Sequence, residues 1–538
     1  MRRPQRTGCA AAGLPAAVKI LLISIQNNLE VIGLKYLHYF LLGNSCDSTL
    51  LFLPQYDRNR ESSHKNIAAF VRDTAPGLIG VSLMSTEFNN AAHLTRYLKT
   101  SFPDIPVVWG GIHPTIEPEE SLEFADYVCV GEGEWTMLAM ARALESGADL
   151  KGINNLCYMD GGVVRNNPLF PLIDNLDDIY PYEHVPGNSF LQDGDSIVTV
   201  DKKVFRKYDR YSGTNYNIMS SRGCPFSCTY CCNNFFSKLY GPRKVRRRSI
   251  ENIIYELERA VVDNPEIAQI NFQDDCFLAC NDDYLQKFAS AYREKIGKPF
   301  IVRGIPVFIT RAKLETLKTA GISWISLGLQ SGSDRTNREI YKRRSTGRDF
   351  TAAAKLIREF NIAAMYDVIL DNPFENEEDR LHTIRTLMDT PKPFFTQFFS
   401  LTFYLGTELY SMLKKADPDV KDDYKEKEYG IYGKTVLNDM TRLAAFLPEL
   451  PMEKLVHLYE TAPGSLSFRA RLFALKLYSM LVCEPLTYFR LIKLSQHGSY
   501  IKTLRALPGY FREGGRRYMM QLKRKANAAA KETGGSGS

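Results

Sequence analysis

The sequence predicts an α/β protein of several domains, and three observations carry that reading. Short apolar strands alternate with helix-length amphipathic stretches in two separate series. The chain, at 538 residues, is too long for one ordinary core, which argues for two to four domains. After about residue 406 the strands give way to aromatic-rich helical stretches with no internal repeat.

The first series contains VKILLIS (18–24), STLLFLP (48–54), GLIGVSL (77–83), IPVVWGG (105–111) and ADYVCVG (125–131). Helix-length segments such as EFNNAAHLTRYLKTSF (87–102) separate them, the pattern of a doubly wound parallel sheet. Ligands of such sheets sit beyond the carboxyl ends of the strands. Three strands here end in small residues: Ser82, Gly110 with Gly111, and Gly131 with Gly133. A Pro- and Asp-rich connection (151–207) follows, with MDGGVV (159–164) reading as a hairpin turn.

The second series runs NYNIMSS, IAQINFQDD, PFIVRGIP, GISWISLGLQSG, MYDVILDNP and FTQFFSLTFY. Helical patterns such as SIENIIYELERAVV (249–262) lie between most of them, which suits a parallel βα barrel or part of one. The expected divisions are a disordered leader (1–17), a first domain (18–150), a linker (151–207), a second domain (208–405), a helical region (406–531) and a tail (532–538). The tail ends in GGSGS, of the kind an expression vector leaves.

Hydrophobic content of 44% with 24% charged residues is that of a water-soluble globular chain. The formal charge of +7 is small for this length and concentrates in RKVRRR (243–248) and in 505–531. Such runs meet nucleic acid or anionic lipid in some proteins and are solvated helix faces in most. With no apolar stretch of signal-peptide type at the start, a reducing cytoplasm is the expected compartment. Eleven cysteines there point to metal or redox chemistry rather than to staples. The most apolar late stretch, LFALKLYSMLVCEPLTYF (472–489), is interrupted by Lys476, Glu484 and Pro485 and reads as a buried or interfacial helix, not a membrane span.

Cysteine clusters in SRGCPFSCTYCCN (221–233), where Cys224, Cys228 and Cys231 have the spacing C-x3-C-x2-C directly after a strand. A structural zinc site takes four ligands, usually as two separated pairs, and adjacent Cys232 is poorly placed to be the fourth. Three thiolates on a 4Fe–4S cluster leave one iron open for another ligand. Zinc and a redox or merely buried set stay open beside the cluster on spacing alone.

At these residues the chain resembles the radical S-adenosylmethionine (SAM) superfamily, whose signature C-x3-C-x-aromatic-C is met with Tyr230 at the aromatic position. The arginine-flanked helix start RRRSIENIIYEL, the strand end carrying Asp274, Asp275 and Phe277, the strand end GLQSGS (328–333) and ILDNP (369–373) extend the match. The resemblance implies a partial (βα)6 barrel whose open iron chelates SAM. Reductive cleavage would then give a deoxyadenosyl radical that abstracts hydrogen from substrate. It places Asp274, Asp275, Arg303, Gln330 and Ser331 on the SAM or substrate side. Two departures stand out: Gln330 replaces the common acid, and Asp371–Asn372 replaces a glycine-led turn, which would reshape the substrate side. Cys276, which forms a second C-x3-C with Cys280, is either a thiol near substrate, an auxiliary ligand or a small buried residue.

The first series is similar to the cobalamin-binding domain fused to one large radical SAM class, through GVSLM, GGIHPT and ADYVCVGEGEW. This implies a Rossmann-like domain in which Ser82, Gly110, Gly111, Gly131 and Gly133 approach the nucleotide tail of cobalamin. Glycine permits that approach sterically. The signature D-x-H-x-x-G is not met: its place reads NLEVIG (28–33), with Glu30 where an axial histidine would stand.

Together these resemblances imply a cobalamin-dependent radical SAM enzyme that methylates an unactivated carbon, drawing electrons from a flavodoxin or ferredoxin. A ring-forming or C–C coupling enzyme of the same architecture is the alternative, and a zinc-bearing RNA-binding protein is a remote one. The late Tyr/Phe-rich helices interleaved with Lys and Arg either lie on a membrane at its inner face, cover a lipid-like substrate, or pack on the barrel.

Overall fold

A computed structural model of the chain describes residues 18–179, 188–209, 213–241, 245–420, 424–425 and 430–496. The leader 1–17, the start of the arginine run (243, 244), the basic segment 505–531 and the GGSGS tail lie outside the described residues. The chain divides into two compact units: one runs to Ile173 and includes Asp178–Asp201, and the other comprises Asp174–Asp177 and everything from Lys202 onward.

The first unit is built on nine strands: β1 (Lys19–Ser24), β2 (Asp47–Phe52), β3 (Leu78–Ser82), β4 (Val107–Gly110), β5 (Tyr127–Cys129), β6 (Leu156–Asp160), β7 (Val163–Asn166), β8 (Ser189–Asp193) and β9 (Ser196–Thr199). Their order is β7-β6-β5-β4-β3-β1-β2-β8-β9. The central pairs β4/β3, β3/β1 and β1/β2 are parallel, with helices Ile32–Gly43, Glu61–Thr74 and Phe88–Ser101 as crossovers. Both faces of these strands are covered, so they read as nearly continuous apolar runs. Trp109 anchors the core with no exposure, stacked on Phe124 and donating its indole N–H to Thr95 Oγ1 at 2.9 Å.

The segment expected to be a linker (151–207) is not a mere connection. It supplies β6 to β9, which extend both edges of the sheet through antiparallel hairpins. MDGGVV does form one of those hairpin turns, between β6 and β7. These strands were hidden because they are short and lie at edges: β7 and β9 bury no residue fully, so no apolar period marks them.

The second unit carries a six-stranded, wholly parallel sheet of β10 (Asn215–Ile218), β13 (Gln269–Phe272), β14 (Phe300–Gly304), β15 (Ile322–Gln330), β16 (Ala363–Leu370) and β17 (Phe395–Ser400), paired in that order. A two-stranded ribbon, β11 (Ser221–Arg222) with β12 (Arg246–Arg247), stands apart from it. β10 and β17 are the edges of an open βα barrel. An aromatic core of Phe272, Phe277, Phe288, Tyr292 and Phe300 locks β13 and β14 against helix Asp282–Lys295. Inward positions are polar on several strands: Asn217, Asn271, Arg303, Asp367 and Gln397 fall on one face by register. After β17 the described chain is helical, ending in a continuous helix over Leu466–Ser495 whose apolar window is only 11% buried. The buried alternative expected for 472–489 is therefore not met.

Candidate cofactor sites

The cysteine loop leaves β11 and ends at helix Cys232–Tyr240, and its two sides are braced by different parts of the unit. On one side Asp274, fully buried, accepts from Ser220 N (3.3 Å), Ser220 Oγ (2.8 Å) and Ser221 Oγ. Behind it Arg248 donates its backbone N–H to Ser220 O at 3.0 Å, and its guanidinium forms a buried ion pair with Glu256 at 2.6 Å. Tyr216 O–H donates to the other Glu256 oxygen at 2.8 Å. Arg247 reaches Ala279 O at 2.7 Å and lies over the Tyr284 ring. Arg246, Arg247 and Arg248 thus work inside the protein rather than as a solvated basic patch.

On the other side Thr229 takes its place from distant chain. Its N–H donates to Tyr341 O (3.1 Å), its hydroxyl to Ile340 O (2.7 Å), and its carbonyl accepts from Leu409 N (2.9 Å). Tyr230 meets Tyr341 edge-on at 4.9 Å and, like Ile369, Phe374, Phe403 and Met412, packs against the buried cluster of Ile340, Tyr341, Leu401 and Leu409. The aromatic position of the motif is a packing anchor that fixes the cysteines to either side.

Cys224, Cys228 and Cys231 are free thiols presented by this loop. Burial pushes the Cys224 thiol up to about 12 and raises Cys228, the latter opposed by the Arg343 guanidinium. Cys231 is lowered, first by a hydrogen bond from Cys232 and then by the backbone and side chain of Asn233. Among the described residues no three His, Cys, Asp or Glu side chains are grouped as a single metal ion would need. A four-iron cluster takes each thiolate on a different iron, so three thiols from one loop that do not converge on a point fit a cluster better than one zinc.

The residues expected on the SAM or substrate side separate in the structure. Asp275 is exposed, and its charge is felt by both Cys224 and Cys231. Arg303 is half-buried on the inner face of β14, donating to Phe272 O at 3.4 Å and to Gln273 Oε1. Gln330 ends β15 at a register break with φ of 66° and folds its side chain back over Gly328. That left-handed backbone is costly for glutamine and is typical of sites where function dictates the conformation.

Asp274, Ser331 and Cys276 are buried. Asp274 is consumed by the serines above and acts on the cysteine loop through them. Ser331 is 1% exposed because the turn after Gln330 drives it inward, where it donates to Glu375 Oε1 at 2.6 Å. Next to it, a Cβ on Gly332 would lie 2.6 Å from His382 O and Thr383 Cα, so only glycine lets helix Glu377–Met388 come this close. Cys276 is fully buried, with its thiol pushed up to about 11, as the small-buried-residue reading expects. Asp371, at the turn that departs from the glycine-led pattern, is held from three sides. It takes φ of 59° and spends its carboxylate on Ser400 Oγ (2.8 Å), Gly433 N (2.9 Å) and Asn438 Nδ2 (2.7 Å).

Two residues of the barrel interior were missed. Arg343, 5% exposed, donates to Leu329 O (2.9 Å) and Gly328 O (2.6 Å) and places its charge beside Cys228. Asp367 on β16 has an inner oxygen with no hydrogen-bond partner, and burial pushes its carboxyl up to about 7 against the pull of Arg303 and Arg343. An acid at an inward position of the apolar strand MYDVIL was the available signal for Asp367; IYKRRSTG offered none for Arg343.

In the first unit, Ser82 ends β3, Gly110 and Gly111 end β4, and Gly131 and Gly133 follow β5, on three adjacent parallel strands. Gly111 has φ of 101°, and a Cβ there would lie 2.7 Å from Leu83 O, so the turn itself demands glycine. At Gly110 and Gly133 a Cβ would meet nothing nearer than 3.9 and 3.6 Å, both from Cys129. The protein's own packing does not require glycine at those two positions, and the space left open is a cradle that a Cβ would fill. That fits the nucleotide tail of cobalamin. His113 is buried against Phe88, 3.1 Å from Ser85 Oγ and 3.4 Å from Glu120, and is a core residue.

A Rossmann-like unit with an open strand-end cradle, joined to a partial barrel whose first loop presents three thiols, defines a cobalamin-binding radical SAM protein. Residues 18–141 match the B12 binding domain, and residues 218–387 match the Radical SAM superfamily. The chain belongs to the radical SAM enzymes that carry a B12 binding domain. An uncharacterized methyltransferase of Pyrococcus horikoshii is 27% identical over 350 residues, covering 64% of this chain and 71% of that protein. The anaerobic magnesium-protoporphyrin IX monomethyl ester cyclase of a Synechocystis strain is 25% identical over 314 residues, 56% of this chain and 57% of the cyclase. The fold is shared with OxsB, a cobalamin-dependent SAM radical enzyme solved with aqua-cobalamin and SAM bound: TM-score 0.62 at 15% identity, over 98% of this chain and 82% of that one.

Proposed function

We propose that this chain methylates an unactivated carbon of a small-molecule or lipid-like substrate. The observation that carries the reading is the joint presence of a three-thiol loop beneath a polar barrel interior and an open glycine cradle in a B12 binding domain. When bound, the cluster and SAM supply a 5′-deoxyadenosyl radical, and cobalamin supplies methyl transfer.

Cys224, Cys228 and Cys231 hold the cluster in this scheme, with Arg343 offsetting the negative charge it brings. With SAM bound, Asp275 would be placed to take its amino group, and the strained Gln330 would offer its amide to the same ligand. Arg303 and Asp367 orient substrate inside the barrel; Asp367 holds a proton at its carboxyl below about pH 7 and so donates a hydrogen bond rather than repelling an electron-rich group. Ser82, Gly110, Gly111, Gly131 and Gly133 admit the cobalamin tail. A flavodoxin or ferredoxin supplies the electrons, and the cytoplasm is the compartment.

The test is an anaerobic incubation of the reconstituted enzyme with SAM labelled on its methyl group, together with lipid and polar extracts of the host. Label recovered on cobalamin and then in an extracted product supports methylation. Deoxyadenosine formation with no label leaving SAM sinks it and points to ring formation or coupling, the chemistry that the cyclase relative's name carries.

A further inference from the structure

We propose that the helix Leu466–Ser495 is a docking surface for an anionic phospholipid bilayer, on which it lies flat rather than crossing it. The argument does not depend on the reaction assigned above.

The helix is packed the wrong way round for one that only covers a core. Through its middle the residues turned to the body, at a spacing of four, are small or polar (Ser479, Cys483, Thr487 and Ser495), and the large buried ones, Phe468 and Leu491 with Ile492, stand toward its two ends. Its large apolar residues face outward instead: Phe473 is 72% exposed, Leu481 63% and Met480 55%, with Leu477 and Leu486 beside them. Phe473, Leu477, Met480 and Leu481 stand at positions i, i+4, i+7 and i+8, one continuous stripe. A patch of this kind on a water-exposed helix marks an interaction surface.

Charge selects the occupant. Arg469 and Arg471 flank the stripe toward its start, and Arg490 stands toward its end. Two other charges on the helix are already paired: Lys476 donates to Asp439 Oδ2 at 2.7 Å, and Glu484 accepts from Arg442 at 2.8 and 2.9 Å, so Glu484 does not offset the arginines. The sequence that follows continues in the same sense, with RRYMMQLKRK at 516–525. An apolar stripe bordered by long cationic side chains, whose stems snorkel while their heads reach phosphate, is the chemistry of an interfacial helix on anionic lipid.

By length and composition the helix could also span a bilayer. Its own packing argues against that. Crossing would strip the Ser479–Thr487–Ser495 stripe from the barrel side and carry Lys476 and Glu484 into hydrocarbon away from their partners, Asp439 and Arg442. Each unpaired charge carried to the middle of a bilayer is costly. A π-turn at Ser479–Cys483, set by Pro485 lacking its N–H, keeps the small stripe turned to the body through the middle of the helix.

The test is co-sedimentation of the full-length holoprotein with vesicles of phosphatidylcholine alone or mixed with phosphatidylglycerol, at low and high salt. A Phe473→Glu/Leu481→Glu variant, checked for unchanged cluster absorbance and melting temperature, serves as control. A Leu481→Cys protein carrying an environment-sensitive dye reads insertion. The expected result is binding to the mixed vesicles, weakened by salt, at least about tenfold weaker in the double variant, with the dye quenched by brominated lipid. Failure to bind mixed vesicles at low salt overturns the proposal. So does binding that the double variant retains in full, which would place the contact elsewhere. A dimer in solution that the same two substitutions dissociate would assign the stripe to a second copy of the chain and also overturns it.

Discussion

Replacing Asp367 by asparagine should remove a pH-dependent penalty from the barrel. The carboxyl sits on the inner face of β16 with one oxygen unpartnered, and its pKa rises from the ordinary 3.8 to about 7. Burial is the main cause, and the guanidinium groups of Arg303 and Arg343 pull the other way without cancelling it. For an acid raised on folding, the folded state holds a proton that the unfolded state has already lost. Stability therefore falls as pH rises from about 4 to about 7, and the loss is complete above that. Three units at about 1.36 kcal/mol each set an upper bound near 4 kcal/mol, and partial access to water reduces it to about 2–3 kcal/mol. Asparagine keeps the shape and cannot ionise. Urea unfolding of wild type and Asp367→Asn under anaerobic conditions, at intervals from pH 5 to pH 8, measures the difference directly. About two thirds of that loss falls above pH 5, so the variant's advantage should widen by about 1–2 kcal/mol across that window. A gap that stays constant with pH, or that narrows as pH rises, would refute the reasoning.

Three further outcomes follow from the same geometry. Serine at Cys224, Cys228 or Cys231 should take anaerobically reconstituted iron from about four per chain toward zero, whereas Cys232→Ser should keep it, read by iron and sulfide analysis; zinc without sulfide in the wild type would return the loop to the single-ion reading. Glu256→Gln leaves Arg248 charged and buried and should cost about 3–5 kcal/mol of unfolding free energy, far more than Glu258→Gln on the same helix. Gly332→Ala forces a Cβ against helix backbone at 2.6 Å and should cost about 3 kcal/mol or more, seen as a lowered urea midpoint.

The cluster loop was legible because its chemistry lies in spacing, which sequence displays directly. The cobalamin-domain strands were legible for a similar reason: strands buried on both faces write themselves as apolar runs ending in small residues. Facing is what sequence conceals. Asp274 and Asp275 are neighbours in a strand-end motif, yet one is locked under Ser220 and Ser221 while the other is open, and nothing local distinguishes them. Ser331 is hidden for the same reason, since its burial is decided by Glu375 and set by tertiary packing. Arg343 lies more than a hundred residues from the cysteine it affects and belongs to no motif. The strands between 156 and 199 escaped because edge strands need not alternate.

Thr229 has a consequence for how the enzyme matures. The three hydrogen bonds that fix this residue between Cys228 and Tyr230 come from Ile340, Tyr341 and Leu409. A chain emerging from the ribosome offers all its cluster cysteines long before it offers those partners, and closing contacts over such separations is slow. The loop cannot take its final form until Leu409 is synthesised and the barrel has closed past β17. Iron delivered earlier meets thiols in an unfixed loop, where nothing enforces three ligands and one open site. Correct cluster assembly is thereby tied to completion of the barrel, and a chain ending before residue 409 would carry the whole cysteine motif without the means to hold it.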